Sequence, residues 1–165
     1  MDENNYIVTK DKKSTAIFIF IVCAVVVCVL GFFLGFGRFY DLNKGGMINY
    51  AMTTTPLLII TGLMIISSSV GTWLVSKSKN SVSKLVCMIL YYSILFLLLL
   101  WSLILFRLNA PIVACFMIGI ASAISIYLIY AYFVRNITAG ILISIFSAWL
   151  LYVYAINLAY CVSVF

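Results

Sequence analysis

From Leu85 to Phe106 the chain runs through 22 residues without one charged side chain. A helix rises about 1.5 Å per residue, so about 20 apolar residues cross the roughly 30 Å hydrocarbon layer of a bilayer. Four more stretches are of the same kind. With boundaries good to about 2–4 residues, the five spans cover about Ser14–Phe36, Pro56–Val75, Val82–Phe106, Pro111–Val134 and Ile137–Val162. Composition agrees. Only 8% of residues are charged and 66% are hydrophobic, too little charge to keep a water-facing surface dissolved. Each span must be helical, because a lone strand in lipid leaves its backbone groups without partners. A membrane β-barrel would show shorter, alternating segments. The expected fold is therefore all-α: a polytopic integral membrane protein built as a five-transmembrane-helix bundle.

The remaining chain is small. Residues 1–13 form a polar tail, residues 14–165 a single transmembrane domain, and residues 37–55 one long loop. Lys10, Lys12 and Lys13 before an apolar run look like the start of a signal peptide. That run is too long, and no clear small-residue cleavage site follows it, so it is read as a retained first span.

Basic residues set the expected orientation. Lys10, Lys12, Lys13, Lys77, Lys79, Lys84 and Arg135 fall on one side, and Arg38, Lys44 and Arg107 on the other. The excess predicts a cytoplasmic N-terminus and an external C-terminus, in the plasma (inner) membrane of a bacterium. The net charge of +6 reads as membrane anchoring. No basic cluster exceeds three residues, which argues against a nucleic-acid partner.

Several chemistries are excluded by what the spans lack. There is no His, and Asp2, Glu3, Asp11 and Asp41 all lie outside the spans. Proton relays and ion pathways use ionisable groups inside the membrane, and a hydrolase needs a base there. Cys23, Cys28, Cys87, Cys115 and Cys161 form no Cys-x-x-Cys pair, so no metal site is expected. They are read as small apolar core residues. The hydroxyls of Ser67, Ser68, Ser69, Thr72, Ser122, Ser125, Ser144 and Ser147 are expected to bond their own helices or join neighbours. Gly31 with Gly35, Gly119 with Ala123, Ser67 with Gly71 and Ala155 with Ala159 are spaced for close helix approach.

Asn157 is the one amide well inside a span. Leaving it unpaired in hydrocarbon is costly, so it should face the bundle or a ligand. Trp149 lies eight residues earlier, about 80° away around the helix. With Tyr152, Val153 and Ile156, the two make one face carrying an indole, a phenol and an amide.

These residues resemble the translocator protein family, the tryptophan-rich sensory proteins or TspO/MBR family. The family's third helix ends in Trp-Ser-x-x-x-Phe, present here as Trp101, Ser102 and Phe106. Its fifth helix carries Trp, an aromatic three residues later and a Leu-Asn pair, here Trp149, Tyr152, Ile156 and Asn157. Its first loop opens with an aromatic-Tyr pattern that Phe39, Tyr40, Leu42 and Lys44 follow with one position removed, Gly45 replacing a Pro. Where the family has Trp and Tyr in the second helix, this chain has Thr61 and Ile65. For Gln and Asn in the third it has Ile94 and Leu98, and for Pro-Tyr in the fifth, Ile145 and Phe146.

The resemblance implies a pocket in the bundle, capped by the first loop, that binds tetrapyrroles, sterols or aromatic drugs. Carried over residue by residue, the ligand-binding positions are Tyr40, Trp101, Phe106, Trp149, Tyr152, Ile156 and Asn157. No catalytic residue and no required cofactor are expected, with porphyrin or haem as bound ligand. The partners are the bilayer, a hydrophobic small molecule and, by the family's habit, a second copy in a homodimer. The third span, with Tyr91, Tyr92 and its Leu run, offers no small-residue motif for that dimer. Three functions are weighed. The first is a membrane receptor, sensor or carrier for a flat apolar ligand. The second is a small structural subunit of a membrane complex, packing through Leu95 and Leu97 to Leu100. The third is a porphyrin-modifying enzyme.

Overall fold

The computed structural model describes residues 19, 21–23, 25–26, 54–77, 81–108 and 110–164. Among them there is no strand. Helix α1 is described at residues 19, 21–23 and 25–26. It is followed by α2 (Thr54–Ser76), α3 (Ser81–Phe106), α4 (Pro111–Phe133) and α5 (Ile137–Val164). Helices α2 to α5 are each long and apolar enough to cross a membrane. With α1 they make a five-helix bundle, and the protein is an integral, multi-pass membrane protein. The first loop, with Tyr40, and the Gly31–Gly35 pair lie outside the described residues.

The helix ends follow from local chemistry. Pro111 opens α4, where its fixed φ suits the first turn and its missing N–H costs nothing. At the other end the Arg135 guanidinium donates to the Ala131 carbonyl, a cation placed at the negative end of the helix dipole. Asn136 then caps α5, its Oδ1 accepting the Ala139 N–H at 3.1 Å. The turn between these helices is so short that they must pack antiparallel.

Cross-helix contacts give the register. Gly140 lies against the Phe133 ring, Gly119 against the Tyr154 ring, and Cys161 Sγ donates to the Pro111 carbonyl at 3.2 Å. Residue numbers on α4 fall as those on α5 rise. Helix α2 also runs antiparallel to α5, with Gly71 at Ala139 and Thr61 at Trp149. A Cβ on Gly71 would sit 3.3 Å from the Ala139 carbonyl oxygen, so the small side chain there sets a close approach. Helix α3 packs on α4 and, less extensively, on α2, while Cys23 of α1 reaches both α2 and α3. The order around the bundle is α1, α2, α5, α4, α3.

The core is apolar, with Ile65, Ile94, Leu98, Ile118, Leu128, Ile143 and Phe146 among its buried residues. The outside is apolar too: Phe96, Phe116 and Tyr130 are 61%, 70% and 71% exposed, which suits a surface solvated by lipid. One expectation needs correcting. Ala155 and Ala159, spaced for close approach, are exposed; with a period near 3.6, small residues four apart can share the lipid face as readily as a seam. Within the Leu run of α3, Leu95 and Leu98 are buried in the core, and Leu97, Leu99 and Leu100 are partly exposed.

Candidate functional site

Helix α5 carries four of the expected site residues, Trp149, Tyr152, Ile156 and Asn157. Trp149 is half-buried and donates its Nε1–H to Thr61 Oγ1 on α2 at 3.2 Å. One turn further, the Tyr152 ring lies 5.3 Å from the Trp149 ring, tilted by 31°, within the range where aromatic pairs attract. Ile156 is partly buried on the same helix. Thr61 thus stands where the family pattern has Trp, and its hydroxyl fixes the orientation of the indole opposite.

Asn157 is buried, at 5% exposure. Its Oδ1 accepts the Trp101 Nε1–H at 3.0 Å, and its Nδ2 donates to the Val153 carbonyl at 2.8 Å. The expected face of α5 is therefore completed by a residue of α3. Asn157 orients Trp101 directly, and half of its hydrogen-bonding capacity is used within the protein. Phe106 closes α3, and its side chain, like Tyr40, is outside the described set.

Below these residues the positions that are polar in the family pattern are apolar here. Ile65, Ile94, Leu98 and Phe146 come from three helices and are all essentially buried. They line the bundle interior with hydrocarbon and one phenyl ring.

Sequence reasoning missed a second polar centre. Tyr91 Oη lies 3.1 Å from Ser68 Oγ, 3.0 Å from Ser69 Oγ and 3.6 Å from Cys23 Sγ, and donates to the Ile65 carbonyl at 3.3 Å. Ser69 Oγ and Cys23 Sγ are 2.7 Å apart. One turn on, Thr72 Oγ1 and Tyr132 Oη are 2.8 Å apart. These hydroxyls were expected to bond their own helices or to join neighbours, and Ser68, Ser69 and Thr72 do both. Their partners, Tyr91 and Tyr132, carried no signal, because a Tyr in an apolar run reads equally as packing or interface. The cluster satisfies itself and ties four helices together.

At the cytoplasmic end expected from the charge pattern, Lys77 Nζ sits 3.4 Å from the centre of the Trp73 ring, a cation–π pair typical of a membrane-interface anchor. Among the described residues no group of three or more His, Cys, Asp or Glu is placed to hold a metal ion. A groove of about 870 Å³ runs between α4 and α5. It opens outward, since its walls include Phe116 and Val162, both at least 70% exposed, and none of the expected site residues lines it.

No curated protein and no solved structure matches the chain. A family model described as the TspO/MBR family matches residues 19–162, which takes in all five helices and the first loop. With the Trp-Ser-x-x-x-Phe end of α3 and the Trp149 to Asn157 face of α5 meeting in one bundle, this chain belongs to the TspO/MBR family of membrane sensor and binding proteins.

Proposed function

We propose that the protein is a sensor or carrier that binds a flat, largely apolar molecule, a tetrapyrrole or a sterol-like compound, inside the helix bundle. The ligand lies against Trp149 and Tyr152, with Trp101, Ile156 and Asn157 around it. The observation that carries this reading is the half-buried Trp149–Tyr152 pair, braced from α2 by Thr61. Two aromatic rings held at a fixed tilt, with part of their surface uncovered, suit stacking against a planar partner. The apolar lining at Ile65, Ile94, Leu98 and Phe146 supports a ligand with few polar edges. Affinity then comes chiefly from buried area and ring contact. Asn157 acts mainly by fixing Trp101.

Titration of protoporphyrin against the purified protein, read by quenching of Trp fluorescence, tests this. Trp149→Leu should weaken binding by roughly tenfold, the loss of about 1–1.5 kcal/mol of ring contact. Trp73→Leu, at the membrane interface beside Lys77, should leave it unchanged. If Trp73→Leu is the more damaging, the ligand does not lie where proposed.

A further inference from the structure

From Leu42 to Phe165 the chain has no Asp or Glu. The described residues hold four cations, Lys77, Lys84, Arg107 and Arg135. Three of them stand at one end of the bundle: Lys77 just past α2, Lys84 in the first turn of α3 and Arg135 just past α4. Contacts between helices set their heights. Thr72 of α2 meets Tyr132 of α4 at 2.8 Å, and Ser68 and Ser69 of α2 meet Tyr91 of α3 at 3.1 and 3.0 Å. The final turns run on to Lys77 and Arg135, whose N–H groups donate to the carbonyls of Leu74 and Tyr132 at 3.2 and 3.0 Å. At about 1.5 Å per residue, Lys77 lies about 7.5 Å beyond the Thr72–Tyr132 level, Lys84 about 5 Å and Arg135 about 4.5 Å. Three helices thus bring three cations into one layer about 3 Å deep. Lys84 continues the buried row of Tyr91 and Cys87 on α3, and Arg135 that of Leu128 and Tyr132 on α4. Both are partly buried, so they stand at the mouth of the bundle. Lys77 is exposed, and its Nζ over the Trp73 ring marks this layer as the depth of the lipid headgroups.

We propose that this layer is a binding site for the phosphate of an anionic phospholipid, with Lys84 and Arg135 as its main contacts and Lys77 beside them. Charge complementarity carries the assignment. Cations gathered at one bundle end, in a stretch of chain with no carboxylate, take their counter-charge from outside that stretch. At headgroup depth the membrane itself supplies it, and basic pockets between membrane helices hold anionic headgroups in this way. The Arg135 guanidinium offers planar, forked donors to phosphate oxygens, and the Lys84 ammonium acts as a point charge. A zwitterionic lipid brings its own cation to the layer and is disfavoured there. A free phosphate meets the same cations but gains no contact between acyl chains and the apolar flank of the bundle. The phospholipid is therefore the occupant. The site shares no residue with the aromatic site and does not depend on the ligand reading.

The test uses the full chain in detergent micelles, titrated with phosphatidylglycerol in one arm and phosphatidylcholine in the other, with lipid retention read by native mass spectrometry. Phosphatidylglycerol should be held about tenfold more tightly. Lys84→Gln and Arg135→Gln should each weaken its retention by about fivefold, the effect of about 1 kcal/mol per cation at a membrane surface, and leave phosphatidylcholine unchanged. Arg107→Gln, at the opposite end, should change neither. Lys84→Arg and Arg135→Lys keep the charge and should stay within about threefold of wild type, which separates loss of charge from loss of fold. Inorganic phosphate at constant ionic strength should not displace the lipid. Equal retention of the two lipids, displacement by inorganic phosphate, or a phosphatidylglycerol preference that survives in the K84Q/R135Q double variant overturns the proposal.

Discussion

Trp101 and Asn157 hold each other across the bundle. The indole Nε1–H of α3 points at the amide oxygen of α5 at 3.0 Å, and the amide nitrogen returns to its own helix at Val153. Removing either partner strands the other in a site with little access to water, and an unsatisfied buried group costs about 1–3 kcal/mol.

The pair should therefore behave as a unit. Trp101→Phe and Asn157→Leu should each lower stability in detergent by about 1–2 kcal/mol. The double variant should cost less than the sum, with a coupling of about 1 kcal/mol, within the range for hydrogen bonds inside membranes. A double-mutant cycle on reversible unfolding in mixed micelles measures it. Strict additivity would mean the bond contributes nothing to the fold.

Tyr91 is the centre of the other polar cluster, with partners on α1 and α2. Tyr91→Phe removes one hydroxyl and leaves Ser68 and Ser69 their bonds to the Ile65 carbonyl. The expected loss is about 1 kcal/mol, seen as a lower thermal midpoint in detergent, with helix content unchanged. Ser69→Ala should cost less, because Ser68 still meets the phenol. A larger loss for Ser69→Ala than for Tyr91→Phe would move the centre of the cluster to α2.

What could be read from the sequence depended on how many neighbours a signal needs. The helices needed none: long uncharged runs must be helical in lipid, so the all-α bundle was legible. Asn157 could be flagged alone, because one amide in hydrocarbon must find a partner. Which partner was not legible, since Trp101 lies 56 residues away in sequence and only the folded bundle brings α3 and α5 face to face across its interior. The same holds for Thr61, a residue that looked like a missing Trp and proves to orient Trp149.

The α2–α5 seam is tight at Gly71, where an added Cβ would meet the Ala139 carbonyl oxygen at 3.3 Å and Leu142 at 3.4 Å. Gly71→Ala needs a shift of only a few tenths of an ångström and should be nearly neutral. Gly71→Leu must part the helices and should cost about 1–3 kcal/mol, the usual price of overpacking. Because Thr61 and Trp149 share this seam, Gly71→Leu should also broaden and red-shift Trp emission. Emission unchanged beside lost stability would separate the seam from the aromatic pair.

The charge asymmetry predicts that Lys13 and Arg135 face the cytoplasm and Phe165 the outside. Topology reporters fused after Lys13 and after Phe165 check it. The expected outcome is a cytoplasmic signal from the first and an external signal from the second. A cytoplasmic C-terminal reporter would invert the bundle and place the Trp101–Asn157 end at the inner face.

The last prediction concerns which tetrapyrrole binds. The chain has no His, so haem iron lacks its most common protein ligand. Asn157 is occupied by Trp101 and Val153, and the thiol of Cys23 by Ser69. Recognition should then rest on ring stacking and apolar burial, which the metal does not change. Metal-free protoporphyrin and haem should bind with Kd values within about threefold of each other, a difference under about 1 kcal/mol. Tyr152→Leu should weaken both equally, by roughly threefold to tenfold, as one stacked ring is lost. Parallel fluorescence and absorbance titrations decide it. A haem preference of about a hundredfold, or a sharp Soret shift with haem alone, would reveal an axial ligand and move the site away from this aromatic pair.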